Sequence, residues 1–343
     1  MSDLPAFQAA PRPRLRPLAS LLLAGLAFSA AAPSLFASSY LFYVEAQALA
    51  GWSSAAKKAI FYSMMPEDAM QKPSAGFDYV QKFSGDAGDI ATLSLQARMA
   101  LDTEGGLSSE AQIYNAFLKV KTPWADVWAG HNRPAMGLSS MLDNHGTLLQ
   151  TLSMSGFGYD RDWGLGLERQ LEGGDAAISL TTGSGMTLKT GGFLLAARGS
   201  LGVLSQDNFR IGASLAFGQT YDAIGIKIPA GGPAALRLVG WDASWVRGAW
   251  ENGAEIMGGT RAGRTTLALF WRTGLGLLDE SRLKIELQPA VFWKADEASY
   301  QMAGSATYLA TSDLTLRTLV SYDSATKDAR ILFQVYYYKG IRF

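Results

Sequence analysis

The chain has no cysteine among its 343 residues. That excludes disulfides, thiolate metal sites and covalent haem attachment, and it suits a chain that crosses an oxidising periplasm. Histidine occurs twice, as His131 and His145, with no HExxH-like spacing, which makes a poor metal site. Charged residues are scarce at 17%, and 30 basic side chains are balanced by 30 acidic ones. A neutral chain offers no electrostatic footprint for nucleic acid. Mean hydropathy is only +0.06, too polar for a bundle of membrane helices. Long apolar runs are missing after the N-terminus. The one such run, Leu18 to Phe28, follows Arg12, Arg14 and Arg16 and precedes small residues, as in a secretory signal peptide. It is shorter than the about 20 residues a spanning helix needs. Residues 1–37 are therefore expected to be removed, after Ala31 or Ala37, leaving residues 38–343 as one domain.

What is present is alternation. Glycine is abundant at 37 residues and aromatics make up 11%. In the last stretch, Asp328 to Phe343, Ile331, Phe333, Val335, Tyr337, Ile341 and Phe343 fall on one face. Arg330, Gln334, Tyr336, Tyr338 and Arg342 fall on the other. Period two means a strand. Its length and aromatic ends would invite aggregation on an open sheet edge, whereas a closed membrane barrel has no edge and meets lipid on one face and a lumen on the other.

The same pattern recurs from Tyr40 onward in Leu41–Gly51, Phe77–Ser84, Ile90–Asp102, Gln112–Thr122 and Trp124–Asn132. It continues in Trp163–Leu171, Ala176–Gly183, Gly191–Val203, Phe209–Gln219, Leu236–Val246, Gly253–Thr260 and Thr265–Leu277. Strands around Leu283–Val291, Tyr300–Leu309, Leu314–Tyr322 and Arg330–Phe343 complete an all-β, antiparallel set of about sixteen, or fourteen if Leu41–Gly51 or Gly253–Thr260 is misread. Gln112–Thr122 sets Tyr114, Ala116, Leu118 and Val120 against Asn115, Lys119 and Lys121. If the first strand runs outward, the short turns at Gly85, Pro123, Gly173, Ser205, Gly248, Asp279 and Ser312 share one end. The longest connections, Ser53–Gly76, Arg133–Asp162 and Thr220–Ala235, share the other. Trp124, Trp128, Trp241, Trp245, Trp250, Trp271, Trp293, Tyr300, Tyr308, Tyr322 and Tyr337 lie near strand ends, where they would form two interfacial girdles.

With its terminal Phe343 and the strand-to-loop entry Trp128-Ala-Gly-His-Asn-Arg-Pro134, the chain resembles the Gram-negative outer-membrane porins. The resemblance spans the whole mature chain in architecture but rests on only these two places in residues. It implies an outer-membrane location, passive diffusion of small hydrophilic solutes, a homotrimer, and an assembly signal at Tyr337, Ile341 and Phe343 read by the barrel-assembly machinery. It also implies that the third external loop folds into the lumen. Asp143, Asn144, His145, Asp160 and Asp162 would then be the acidic side of a constriction. The lumen-phase Arg98, Lys119, Lys121, Arg282 and Lys284 would be its basic wall. Opposed charges across a narrow wet pore set up a transverse field that favours hydrated, dipolar solutes.

Other roles have to be weighed. A barrel could sheath a partner such as a multihaem cytochrome, although the chain has no haem motif of its own. Ser139, Ser140 and Asp143 lie near His145, but no nucleophile elbow or triad order accompanies them, so no enzyme activity and no cofactor are expected. A soluble secreted β-protein would leave Gln96, Arg98, Lys119, Glu286, Gln288, Arg317 and Gln334 in a dry core, at high desolvation cost.

Overall fold

The computed structural model describes residues 37–65, 69–86, 88–103, 108–143, 145–223, 227–228, 232–295 and 297–341. The signal-peptide reading, Asn144 and the terminal Phe343 lie outside the described residues. The strands are β1 (Ala37–Ser53), β2 (Lys58–Ile60), β3 (Ser74–Gly85), β4 (Gly88–Asp102), β5 (Ser108–Lys121), β6 (Asp126–Asn132), β7 (Asp162–Leu171), β8 (Gly174–Thr181) and β9 (Phe193–Leu201). They continue as β10 (Phe209–Thr220), β11 (Ala234–Arg247), β12 (Trp250–Arg261), β13 (Arg264–Leu277), β14 (Leu283–Lys294), β15 (Glu297–Leu309), β16 (Leu314–Asp323) and β17 (Asp328–Ile341).

Each strand pairs antiparallel with its neighbours, and β1 closes the sheet by pairing with β3 on one side and β17 on the other. Phe42 stands opposite both Tyr79 and Ile341. The result is a closed barrel of sixteen long strands. The short β2, which the sequence did not announce, pairs with the end of β1 inside the first long connection.

The alternation is physical. On β10, Ile211, Leu215 and Phe217 are exposed on the outer phase while Ser214, Ala216 and Thr220 are buried on the inner one. On β17, Ile331, Phe333, Val335 and Tyr337 face out, and Leu332, Gln334 and Tyr336 are buried. A ring of outward apolar side chains is what a bilayer stabilises and water does not. The aromatics follow this rule: Trp293 and Tyr300 are exposed on the outside near strand ends, whereas Trp241 and Trp271, expected near strand ends, are exposed on the outside at mid-strand.

Two expectations need correction. Trp128 is no girdle residue. It is 1% exposed and its indole sits against Gly166, where a Cβ would lie 2.5 Å from the ring nitrogen. Tyr114 is not on the apolar face either. Gln96 pairs with Asn115 and Ala97 with Ile113, so Tyr114 is the extra residue of a β-bulge. The bulge puts Tyr114 and Asn115 on the same side and switches the phase of β5. Alternation cannot be read across such an insertion.

At one end the connections are short. At the other lie residues 54–65, 69–73, 133–143, 145–161, 182–192 and 221–223, together with the two-residue Ala262–Gly263 turn, whose φ angles of 49° and 76° fit a tight hairpin.

Candidate functional site

The connection between β6 and β7 is the longest in the barrel, and its contacts fan out over the inward phase of distant strands. It carries two 3-10 turns, η1 (Leu138–Ser140) and η2 (Leu152–Ser155). Glu255 on β12, 1% exposed, accepts the backbone N–H of Leu138 at 2.8 Å and that of Leu152 at 3.4 Å, and so holds the start of both turns. Gly137 makes this possible. Its φ is 57°, and a Cβ there would stand 1.9 Å from Glu255 Oε1. Arg272 on β13 and Gln288 on β14 both donate to the Gln150 carbonyl, at 3.2 and 3.0 Å. Arg261 at the end of β12 donates to the Gly156 carbonyl at 2.7 Å.

The opposite flank of the segment meets β1, β5 and β17. His145 Nε2 hydrogen-bonds to the Glu45 carboxylate, which also accepts the Tyr336 hydroxyl at 3.0 Å. The imidazole meets the Tyr114 ring edge-on, 4.2 Å between centroids. The β5 bulge lets Tyr114, in phase with the buried Gln112, share the inner side with Asn115.

Apolar residues complete the seating. Met136, Leu138, Leu152, Phe157 and Tyr159 pack on Leu194, Leu236, Leu238, Met257, Phe270 and Phe292 from β9 to β14. Leu148 and Leu149 pack with Leu49, Leu319 and Leu332 from β1, β16 and β17.

The charges sort differently from the expected acid-against-wall arrangement. Asp143 lies 3.2 Å from Arg133 and 3.4 Å from Arg161, both on its own connection. Burial pushes the Asp143 carboxyl up, but Arg133 and Arg161 outweigh that and hold it below the ordinary carboxylate range. Arg161 also binds Asp160 at 2.7 Å and Asn115 at 3.0 Å, and stacks 4.3 Å over the Tyr114 ring. Burial and the neighbouring Arg161 lower Arg133 from its ordinary value.

The remaining candidates lie apart from this group. Asp162 is fully buried and accepts the backbone N–H groups of Gly183, Ser184 and Gly185 at 2.6, 3.1 and 3.0 Å, plus the Thr182 hydroxyl at 3.0 Å. It ties down the β8–β9 connection and has little capacity left for a solute. Arg98 is buried and donates to Gln112 at 2.8 Å and to the Met70 carbonyl. Lys119 pairs with Glu168 at 2.6 Å, and Lys284 with Glu251 at 2.7 Å and Glu286 at 3.2 Å. Arg282 caps the Leu309 and Ala310 carbonyls at the short-turn end, and Lys121 is exposed at the end of β5. Sequence reasoning missed Arg133, Arg161, Glu45 and Glu255. The first two sat in plain view on the long connection; the two glutamates carried no signal beyond their inward phase.

No protein-family model matches the sequence, and no curated protein sequence does. Solved structures do. The loop L8 deletion mutant of OmpT from Vibrio cholerae superposes with a TM-score of 0.63 at 12% identity over 88% of this chain and 100% of its own. OmpT has also been solved in a trimer form. The anion-selective porin from Comamonas acidovorans gives 0.62 at 10% identity, with 88% and 100% covered. OmpF of Salmonella typhi, solved with daunomycin, gives 0.61 at 12%, with 88% and 97% covered. The chain thus has the fold of these porins and outer-membrane proteins, a closed antiparallel barrel of sixteen long strands.

Proposed function

We propose that this barrel is a diffusion channel for small hydrophilic solutes, with the connection Arg133–Arg161 folded into the lumen as its constriction. One observation carries the reading: that single connection bonds Glu45 on β1 and Glu255 on β12, residues far apart around the barrel wall. Asp143, Asp160, Arg133 and Arg161 form the charged edge of the constriction, where closely set opposite charges order water and favour polar solutes. His145 anchors that edge to the wall. Export by residues 1–37, assembly through Tyr337, Ile341 and Phe343, and a homotrimer in the outer membrane belong to the same reading. A sheath around a cytochrome has no observation in its favour, since the chain's own connection would take up the space.

The test is conductance of the refolded protein in a planar bilayer, with the reversal potential in a salt gradient. Stepwise openings on the order of a nanosiemens in molar salt are expected of a water-filled pore. Deleting part of Met141 to Thr151 should enlarge the steps. Silence from protein shown to be folded by heat-modifiable gel mobility would overturn the reading.

A further inference from the structure

At the long-connection end, one cation of the barrel wall points away from the lumen. On β11, Leu236 and Leu238 are buried against the central connection, so Arg237 between them stands on the outward phase, and it is exposed. It lies in register with Phe217 of β10 and Thr260 of β12, both outward and exposed. Its guanidinium forms no hydrogen bond or ion pair with any described residue. No carboxylate stands on the outward phase of β10 to β13 to neutralise it.

Further donors lie around it. Gln219 is one diagonal step away on β10, and Thr265 of β13 faces Thr260, both on the outward phase and exposed. The connection beside this group is the two-residue Ala262–Gly263 turn, too short to fold over it. Below the donors the outer surface turns apolar, with Leu215, Phe217, Val239, Trp241 and Leu269 exposed. Gly258 stands in register between Val239 and Leu267, and its missing side chain leaves a shallow groove that runs down from Thr260.

Hydrocarbon stabilises the lower part of this surface and cannot solvate a guanidinium. An arginine at such a height extends its stem toward the membrane surface and is stabilised there by an anion. We propose that this face is a docking site for a phosphate-bearing diacyl lipid of the leaflet at the long-connection end. Its phosphate meets Arg237, Gln219 and Thr260, and one acyl chain follows the groove at Gly258. Each half of the lipid meets the half of the surface that suits it. The guanidinium fork matches two phosphate oxygens at once. The proposal rests on the membrane-spanning reading of the barrel and not on conduction.

Native mass spectrometry of the detergent-refolded protein, titrated with dioleoylphosphatidic acid, tests the site. This lipid should bind about fivefold more tightly than dioleoylphosphatidylcholine, the scale of one basic side chain at a membrane surface. Dibutyrylphosphatidic acid, with the same headgroup and short chains, should bind at least about tenfold more weakly. Excess inorganic phosphate should leave the lipid bound; displacement would mean a free-anion site and overturn the lipid assignment. Arg237→Gln should abolish the preference for phosphatidic acid, and Arg237→Lys should keep it. Heat-modifiable mobility reports whether each variant is folded. Should Arg237→Gln fail to fold, Thr260→Val, which withdraws one donor, should lower the preference instead. Equal binding of the two dioleoyl lipids, or a preference unmoved in the folded variant, overturns the proposal. Flotation with phosphatidylcholine vesicles separates this site from the reading beneath it. A barrel that floats and has no lipid preference overturns the site and leaves the membrane reading standing. A folded chain that does not float overturns both.

Discussion

Glu255 holds the Leu138 N–H at 2.8 Å from the far wall of the barrel, and the same carboxylate reaches Leu152. One side chain thus anchors both turns of the longest connection. Glu255→Ala leaves two buried N–H groups unpaired, each costing about 1–3 kcal/mol. Limited proteolysis should then cut within residues 138–155 under conditions that leave the parent chain intact, while barrel mobility on gels is kept. Gly137→Ala should act in the same direction, because its Cβ would occupy the place of Oε1.

Asp162 supports a different connection. It gathers three backbone N–H groups of the β8–β9 turn. Asp162→Ala should lower stability by about 3 kcal/mol, the scale for stranding buried donors around a lost carboxylate. Urea unfolding in detergent micelles measures this directly. A shift below about 0.5 kcal/mol would mean that the turn is held elsewhere.

Acid should loosen the charged edge. The Asp143 carboxyl is held below its ordinary value by Arg133 and Arg161, after burial has pushed the other way. A depressed carboxyl stabilises the folded form above its unfolded value of about 3.9 and stops doing so as pH falls through the lowered folded value. Amide exchange around Met141 to Gly146 should therefore rise only below about pH 4. Asp143→Asn should raise it at neutral pH and flatten the acid dependence. Asp143 is more than half exposed, so the effect is modest.

Trp128 and Trp241 should answer a lipid quencher differently. Trp241 is 59% exposed on the outer phase and Trp128 only 1%. Brominated acyl chains should quench variants retaining Trp241 and spare one retaining Trp128 alone. Equal quenching would place Trp128 on the outside after all.

Every long strand could be read from the sequence, to within a few residues. A lipid face and an inward face impose a period of two that side-chain chemistry reports directly. The long connections were equally legible, because turn residues and broken alternation mark them. Two things escaped. Alternation cannot see a bulge, so Tyr114 was assigned to the wrong face of β5. Nor can it tell an inward apolar residue from an outward one where both faces are apolar. Leu194, Leu236, Phe270 and Phe292 look like ordinary strand residues until the connection that covers them is in place. The site was harder. Asp143, Asp160 and His145 came from the resemblance of their connection to a porin constriction loop, but their partners Arg133, Arg161 and Glu45 follow from how the connection folds.

The seam between β1 and β17 joins the two ends of the barrel, and residues of the β6–β7 connection touch both sides of it. Leu148 and Leu149 lie with Leu49 and Leu332, while His145 binds Glu45, which binds Tyr336. The middle of the polypeptide is thus fastened across the junction of its two ends. The inner surface of the seam is therefore complete only with the central connection in place, against which residues of both end strands pack. A chain whose connection is mis-seated would present a seam with the wrong inner surface. Closure thereby becomes a check on the interior as well as on the edges.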